Sequence, residues 1–309
     1  MSADSGVEKS PAVSARKDRV SLGILYMIGA TVMFSVSSAA SKWLVEIFPV
    51  GEILFARTGI SLVMIAAFVL PAAGFAAFRT QRLPAHGLRA ASQFASQIFI
   101  LLAFSLMPLA SAVAINFSAP LFATLASAFF LKEAVGSARW TALLVGFLGV
   151  LIVTNPGAET FTVGALYALG NAVLYGTVTA GVRGMTATES TETLILYQMV
   201  LLTALFACLI PFGGWRNPAN ITELLVLIGN GVTNAFGQYW WTRALHLAPA
   251  SAVGPFYYLM LVWAILLGLV IWGDWPTVTL LIGSAIVVGS GLYLLWHESR
   301  REAVEAEVT

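Results

Sequence analysis

The chain of 309 residues has few charged side chains, because only 10% of its residues are Asp, Glu, Lys or Arg. Soluble globular proteins carry about 25% charged residues, which cover much of their surface in water. Hydrophobic residues make up 59% of the chain, and the mean hydropathy is +0.86. This composition argues against a soluble enzyme and indicates a protein that folds in a lipid bilayer.

Cysteine and net charge are also scarce. Cys208 is the only cysteine, which excludes an intrachain disulfide and any cysteine-based metal or iron–sulfur site. The 16 basic and 15 acidic residues leave a net charge of +1, so no nucleic-acid partner is expected. The expected partners are a small-molecule substrate and the lipid bilayer, with no obligatory protein partner.

Motifs for chemistry are missing as well. The sequence has no GxxxxGK[ST] phosphate-binding loop, no metal-ligand spacing and no nucleophile paired with a base. We therefore expect no enzyme activity, no catalytic residue, no metal and no cofactor. Apart from Glu52, the middle of the apolar runs holds no acidic residue and no histidine. Because a proton relay normally uses such residues, exchange or downhill movement is at least as well supported as proton coupling.

The sequence does contain ten apolar runs, each long enough to cross about 30 Å of hydrocarbon. Proline and glycine mark most of the breaks between them. The first run is long and has no small-residue cleavage site, so we interpret it as a spanning helix rather than a cleaved signal peptide. The predicted spans lie near residues 21–42, 50–71, 88–106, 109–131, 137–154, 163–183, 193–212, 222–244, 249–272 and 276–296.

The basic residues predict the orientation of these spans. If the N-terminus is cytoplasmic, thirteen of the 16 basic residues fall on the cytoplasmic side, and only Lys42 and Arg216 fall outside. We therefore predict a multi-pass protein of the cell inner (cytoplasmic) membrane, with N- and C-termini cytoplasmic. The thirteen residues are Lys9, Arg16, Lys17, Arg19, Arg79, Arg82, Arg89, Lys132, Arg139, Arg183, Arg243, Arg300 and Arg301.

The second half of the chain repeats the first. A shift of 141 residues aligns the third span with the eighth, so that Gln93 and Gln97 meet Asn234 and Gln238. Each repeat has five spans, an odd number, so the second copy must cross the membrane in the opposite direction. Such inverted repeats are typical of secondary transporters, although a duplicated membrane protein need not transport anything. The predicted domains are an N-terminal tail (1–19), two five-helix repeats (20–155 and 160–296) and a C-terminal tail (297–309).

One stretch of each repeat resembles a known family. The first runs from Ala110 to Glu133 and is followed by Trp140, Gly146 and Gly149; the second contains Ala248 to Val253, then Gly268 to Asp274, Gly283, Gly289 and Gly291. This pattern resembles the EamA-type repeat of the drug/metabolite transporter superfamily. The resemblance implies an all-α integral membrane protein of ten transmembrane helices, with a central cavity formed mainly by spans 1, 3, 4, 6, 8 and 9.

The ninth span departs from the family pattern. Pro120 lies in the middle of the fourth span, but no proline occupies the corresponding depth near Met260 or Leu261. Pro255 lies about one turn earlier instead. The resemblance therefore leaves open where a kink falls in the second half.

Polar side chains inside these spans are the candidate binding residues, because they are costly in lipid unless they face protein or water. In the eighth span Asn230, Asn234, Gln238 and Trp241 share one helical stripe, and Gln93 and Gln97 form its counterpart in the third span. These amides could either line a cavity or join helices. Aromatic and polar pairs at similar depth complete the predicted substrate-binding set: Phe34, Ser38, Gln93, Gln97, Asn116, Phe117, Asn171, Tyr175, Asn234, Gln238, Trp241, Tyr257 and Tyr258.

Further aromatic residues, Phe256, Tyr239, Trp240 and Trp263, are also expected near this lining, with interface or core packing as the alternative. Arg57 is the only basic residue well inside a span, five positions after Glu52. We interpret Arg57 as reaching an interface or a helix end, with a gate or a carboxylate anchor as the alternative.

The leading hypothesis is a secondary transporter that exports small amphiphilic metabolites by alternating access. Hydrophobic or aromatic amino acids fit the predicted lining best. Two alternatives stay open: import of a vitamin or nucleotide-like compound such as riboflavin, and a non-transporting membrane receptor or scaffold.

Overall fold

The computed structural model describes residues 11–130, 137–154, 163–186, 189–248 and 250–308. Within these ranges the chain is helical and contains no β-strand, as the all-α prediction requires. The helices are α1 (Pro11–Val45), α2 (Val50–Ala73), a 3-10 helix (Gly74–Phe78), α3 (Leu83–Leu106), α4 (Leu109–Asn116), α5 (Ala119–Phe130), α6 (Ser137–Thr154), α7 (Val163–Thr186), α8 (Thr191–Ala207), α9 (Ile210–Gly213), α10 (Ile221–Leu247), α11 (Ala250–Tyr257), α12 (Leu259–Trp272) and α13 (Val278–Val308).

These helices cover the ten predicted spans. By length and composition, five helical segments are apolar enough to cross a membrane, and four shorter apolar helices accompany them. Helix α10 belongs to neither group although it has 27 residues, since amides interrupt its apolar sequence. Helices α1 and α13 continue into the stretches that were predicted as tails. The predicted breaks at Pro156 and Pro249 lie outside the described residues.

The fourth and ninth predicted spans are each formed by two helices. The first break separates α4 from α5 at Phe117 and Ser118, and the second separates α11 from α12 at Tyr258. Each break uses the same tight hydrogen bonds, from Ser118 N–H and Leu121 N–H in one repeat and from the residues 140 positions later in the other. Pro120 follows its break and Pro255 precedes its own. Proline cannot donate a backbone hydrogen bond, so each weakens the ladder of its span.

The two repeats interlock rather than fold side by side. Helix α1 packs along α10, and its counterpart α7 packs along α3; α2 lies against α8, and α6 against α13. A shift of 141 residues exchanges α1 with α7 and α3 with α10, so the first two contacts are related by the repeat. This is the arrangement of an inverted duplication.

The packing is unequal on the two sides of the bundle. We call the side on which α1 begins the near side, and the side on which it ends the far side. The largest hydrophobic core includes Leu44, Leu101, Val113 and Ala264, which lie toward the far side. There α4 packs against α12, whereas their repeat counterparts α11 and α5 make no comparable contact among the described residues. Among the described residues, the far side is therefore the more tightly packed of the two.

Glycine allows α6 and α13 to approach closely. A Cβ atom added to Gly283 would lie 2.6 Å from Val153 Cγ2 and 2.7 Å from the carbonyl oxygen of Gly149. Both distances are shorter than side chains tolerate. Small residues at such contacts are a common means of helix association in membranes.

Replacing Gly283 by alanine should therefore destabilise the folded protein. We expect a loss of about 1–3 kcal/mol, because the backbone of α6 cannot yield as a flexible side chain would. Gly289→Ala is the matched control on the same helix, since its added Cβ would meet nothing within 4 Å. Thermal unfolding in detergent should show a lower midpoint for Gly283→Ala only. Equal midpoints for the two variants would contradict the close approach.

Candidate functional site

A cavity of about 180 Å³ lies between the two repeats. Eleven of the thirteen residues predicted for substrate binding line it. They come from both halves of the chain and from the middle of the spans: Phe34, Ser38, Gln93, Gln97, Asn116, Asn171, Tyr175, Asn234, Gln238, Trp241 and Tyr257.

The other two predicted residues are not part of the lining. Phe117 is buried behind it, and its ring centroid lies 5.7 Å from that of Tyr257 and 5.0 Å from that of Tyr258. Tyr258 stands at the break between α11 and α12 and is also buried. Phe117 therefore supports the Tyr257 ring from behind, and Tyr258 packs on Phe117 in the core.

Four further aromatic residues were expected near the lining and do not reach it. Trp263 donates a hydrogen bond from Nε1 to Thr31 Oγ1 (3.2 Å), which joins α12 to α1. The ring of Trp240 packs on Phe236, and Tyr239 is exposed. Phe256 packs against the small near-side core around Met27. Only the Trp241 position of the aromatic run on α10 faces the cavity, because neighbouring residues on a helix point about 100° apart.

The amide stripe of α10 divides into two functions. Asn234 and Gln238 line the cavity, and Asn234 also donates from Nδ2 to Ser61 Oγ on α2 (2.9 Å). Asn230 is fully buried between α10 and α1. It accepts a hydrogen bond from Ser37 Oγ (2.6 Å) and donates from Nδ2 to Ser41 Oγ (3.0 Å). Asn230 thus joins helices, while the two amides that follow it face open space.

A second amide network joins α3, α7 and α4 on the other side of the cavity. Ser96 Oγ donates to Asn171 Oδ1 (2.6 Å), and Asn171 Nδ2 donates to Asn116 Oδ1 (2.5 Å). Asn116 is the last residue of α4, directly before the break. The network therefore fixes one end of a broken span to the wall of the cavity.

Arg57 does not reach an interface or a helix end, so that interpretation was wrong. Its guanidinium lines the cavity and donates from one terminal nitrogen to Gln97 Oε1 (2.6 Å). The second terminal nitrogen lies 3.4 Å from Ser41 Oγ. Glu52 does not pair with it, because the Glu52 carboxylate accepts the backbone N–H of Arg216 (2.8 Å).

Sequence reasoning missed four other polar residues of the lining, Ser37, Ser96, Arg89 and Gln198. Arg89 was counted only as an orientation signal, yet it lines the cavity and donates to Gln198 Oε1 (2.7 Å). A signal was present. Arg89, Gln93 and Gln97 are spaced by four, and the shift of 141 aligns Arg89 with Asn230, the first residue of the α10 stripe. The same shift aligns Arg57 with Gln198.

A lysine connects three helices at the far side of the bundle. Lys42 is buried near the end of α1, and its Nζ donates to the carbonyl oxygens of Phe104 (3.0 Å) and Met107 (2.9 Å). Its ammonium also lies 5.4 Å from the ring centroid of Trp272, the last residue of α12. One side chain thus connects the far ends of α1, α3 and α12.

A polar cluster holds the near-side loops. Thr80 Oγ1 donates to Glu189 Oε1 (2.8 Å), and His86 Nε2 lies 3.9 Å from the other oxygen of this carboxylate. The His86 ring stacks on Tyr197 with centroids 4.6 Å apart. These contacts connect the start of α3 with the start of α8, so the carboxylate of Glu189 is engaged away from the cavity.

Replacing Asn230 by leucine should destabilise the fold. The change removes the side-chain partner of the buried Ser37 hydroxyl and one of the partners of the Ser41 hydroxyl, which costs about 1–3 kcal/mol. Thr233→Val is the control, because Thr233 Oγ1 bonds only to the backbone of its own helix. Thermal unfolding in detergent should separate the two variants. A midpoint for Asn230→Leu as high as that of the control would refute the joining function of Asn230.

Comparison with known proteins agrees with the fold and the paired halves. The profile of the EamA-like transporter family matches residues 21–155 and again residues 162–296. The chain is similar to a riboflavin transporter of Vibrio cholerae, with 29% identity over 93% of this chain and 97% of the relative. It is also similar to an S-adenosylmethionine uptake transporter of Rickettsia conorii, with 25% identity over 90% of this chain and 94% of the relative.

A solved crystal structure has the same fold. Its TM-score is 0.64 at 24% sequence identity, and the match covers 88% of this chain and 96% of that chain. Together with the two family matches, which span nearly the whole sequence, this identifies a multi-pass membrane protein: the chain belongs to the EamA-like transporter family of the drug/metabolite transporter superfamily.

Proposed function

We propose that this protein is a secondary carrier that moves a small organic metabolite through the central cavity. One observation carries the proposal: polar side chains from both inverted repeats meet around a single space at the middle of the spans. Such a site, shared between repeats at mid-membrane, is where carriers of inverted design bind their solutes. A scaffold without a ligand would not need amides that face open space.

The size and lining of the cavity favour an amino-acid-sized solute. Pockets for drug-sized ligands usually measure about 300–1,000 Å³, whereas this cavity measures about 180 Å³. Phe34, Trp241 and Tyr257 offer rings for stacking, and Gln97 and Gln238 offer amides for hydrogen bonds. Hydrophobic or aromatic amino acids match this combination, and we propose their export as the leading function.

Riboflavin is the second candidate, and the Vibrio cholerae relative supports it. Riboflavin combines a flat ring system with a hydroxylated chain, so it also suits rings and amides. The cavity would have to widen to hold it. Because the riboflavin candidate is an import function, an uptake assay is needed beside the export assay.

The unequal packing of the two sides supports alternating access. We infer that the cavity faces the near side, since the far halves of the two broken spans pack together and Lys42 connects three helices there. The distribution of basic residues supports a near side that faces the cytoplasm. Both termini would then be cytoplasmic, and the carrier would lie in the inner membrane. Opening the far side would require the Lys42 contacts to break.

Purified protein in proteoliposomes should move radiolabelled phenylalanine, tryptophan or riboflavin across the membrane. Gln238→Ala should raise KM about three- to tenfold, because its amide makes no hydrogen bond to any described residue and is free to contact a solute. Thr242→Val, one turn away and outside the lining, should leave KM unchanged. No protein-dependent flux for any of the three would refute the leading function and the riboflavin candidate together.

Lys42→Met should favour opening of the far side, because methionine cannot donate to the two carbonyl oxygens. The chain has one cysteine, so Cys208→Ser provides a clean background for labelling. Cysteine at Ser38 in the cavity should then react faster with an impermeant thiol reagent from the far side. Cysteine at the exposed position Ser105 is the control and should react equally with either residue at position 42. An unchanged rate at position 38 would show that Lys42 does not hold the far side closed.

A further inference from the structure

Two guanidinium groups face the cavity, and no acidic side chain among the described residues does. Arg57 comes from α2 and Arg89 from α3. Two described carboxylates, those of Glu52 and Glu189, have other partners: Glu52 accepts from the backbone of Arg216, and Glu189 accepts from Thr80. The lining therefore carries two positive charges without a negative one.

Both arginines are held by neutral acceptors only. Gln97 orients the guanidinium of Arg57, and Gln198 orients that of Arg89. Amide oxygens fix direction without neutralising charge. Arg89 Nε and one of its terminal nitrogens make no hydrogen bond to any described residue, and neither does Arg57 Nε. Donor capacity is thus left over at both positions.

Positive charge in a low-dielectric site is costly when nothing opposes it. Intramembrane arginines are usually paired, or else mark a pathway for a charged ligand. The planar donor fork of arginine matches the oxygens of a carboxylate or a phosphate, which gives short, charge-assisted hydrogen bonds. An oxyanion on the solute would supply the missing negative charge.

We propose that Arg57 and Arg89 bind an oxyanion, the carboxylate or phosphate of the transported solute, inside the cavity. This inference rests on the proposed carrier function and names the class of its substrate: an organic anion or zwitterion with an apolar, ring-containing remainder. The aromatic side chains hold the ring, and the arginines hold the anionic end.

Matched pairs of neutral and anionic compounds test this directly. Indole-3-acetate and indole-3-acetamide differ in a carboxylate, and flavin mononucleotide and riboflavin differ in a phosphate. Calorimetric binding to the purified full-length protein should favour the anion of at least one pair about tenfold or more. The pair that shows the preference tells which oxyanion the site takes.

Variants separate charge recognition from folding. Arg57→Gln and Arg89→Gln should each abolish most of the preference while the neutral compound still binds. Arg57→Lys and Arg89→Lys keep the charge without the fork and should retain part of it. Arg243→Gln removes a positive charge from an exposed position of α10 outside the lining and should change nothing.

Equal binding of both members in both pairs, or binding of none of the four, would overturn the proposal. A preference for the anion that survives both glutamine variants would overturn the proposal too, because other residues would then bind the negative charge of the ligand. Transport of neutral riboflavin, together with equal binding of the two members of each pair, would sustain the carrier function and refute only the anion site.

Discussion

The structure depends on one constraint: a polar side chain in the bilayer must find a protein partner or a water-filled space, because lipid offers neither. Several amides and small hydroxyls of the spans meet where the two repeats face each other. Asn230 satisfies Ser37 and Ser41 across α1 and α10, and Asn171 joins Ser96 to Asn116 across three helices. The polar groups therefore hold the two inverted halves together.

The same constraint decides which of these groups can serve transport. Asn230 uses its bonding capacity inside the protein and is buried, whereas Gln238, two turns along the same helix, lies in the wall of open space. Arg57 and Arg89 are intermediate: each has one amide partner and donors to spare. The difference lies in what stands opposite each side chain, so a helix can carry joining and lining residues on a single stripe.

Sequence reasoning could predict what depends on period and length. Apolar runs marked the spans, and the spacing of four placed Gln93, Gln97, Asn234 and Gln238 on two stripes. It could not predict which stripe residue faces open space, because that depends on the neighbouring helix. Arg89 shares the stripe of Gln97 but was counted, by its charge, among the residues on the cytoplasmic side. The prediction that the aromatic run on α10 lies near the lining was wrong for a related reason, since only Trp241 of that run faces the cavity. The positions of the breaks at Ser118 and Tyr258 could not be predicted from proline, because Pro120 follows the first break and Pro255 precedes the second.

The breaks also explain how nearly symmetric repeats can pack asymmetrically. A continuous helix would move its near and far halves together, whereas a tight turn at mid-membrane lets each half take its own position. Here the far halves α4 and α12 pack together, while the near halves α5 and α11 make no comparable contact in the part of the chain that the structure describes. The repeats exchange α4 with α11 and α12 with α5, so the opposite arrangement uses the same kinds of contact. Two states of similar packing energy on either side of one central site are what alternating access requires.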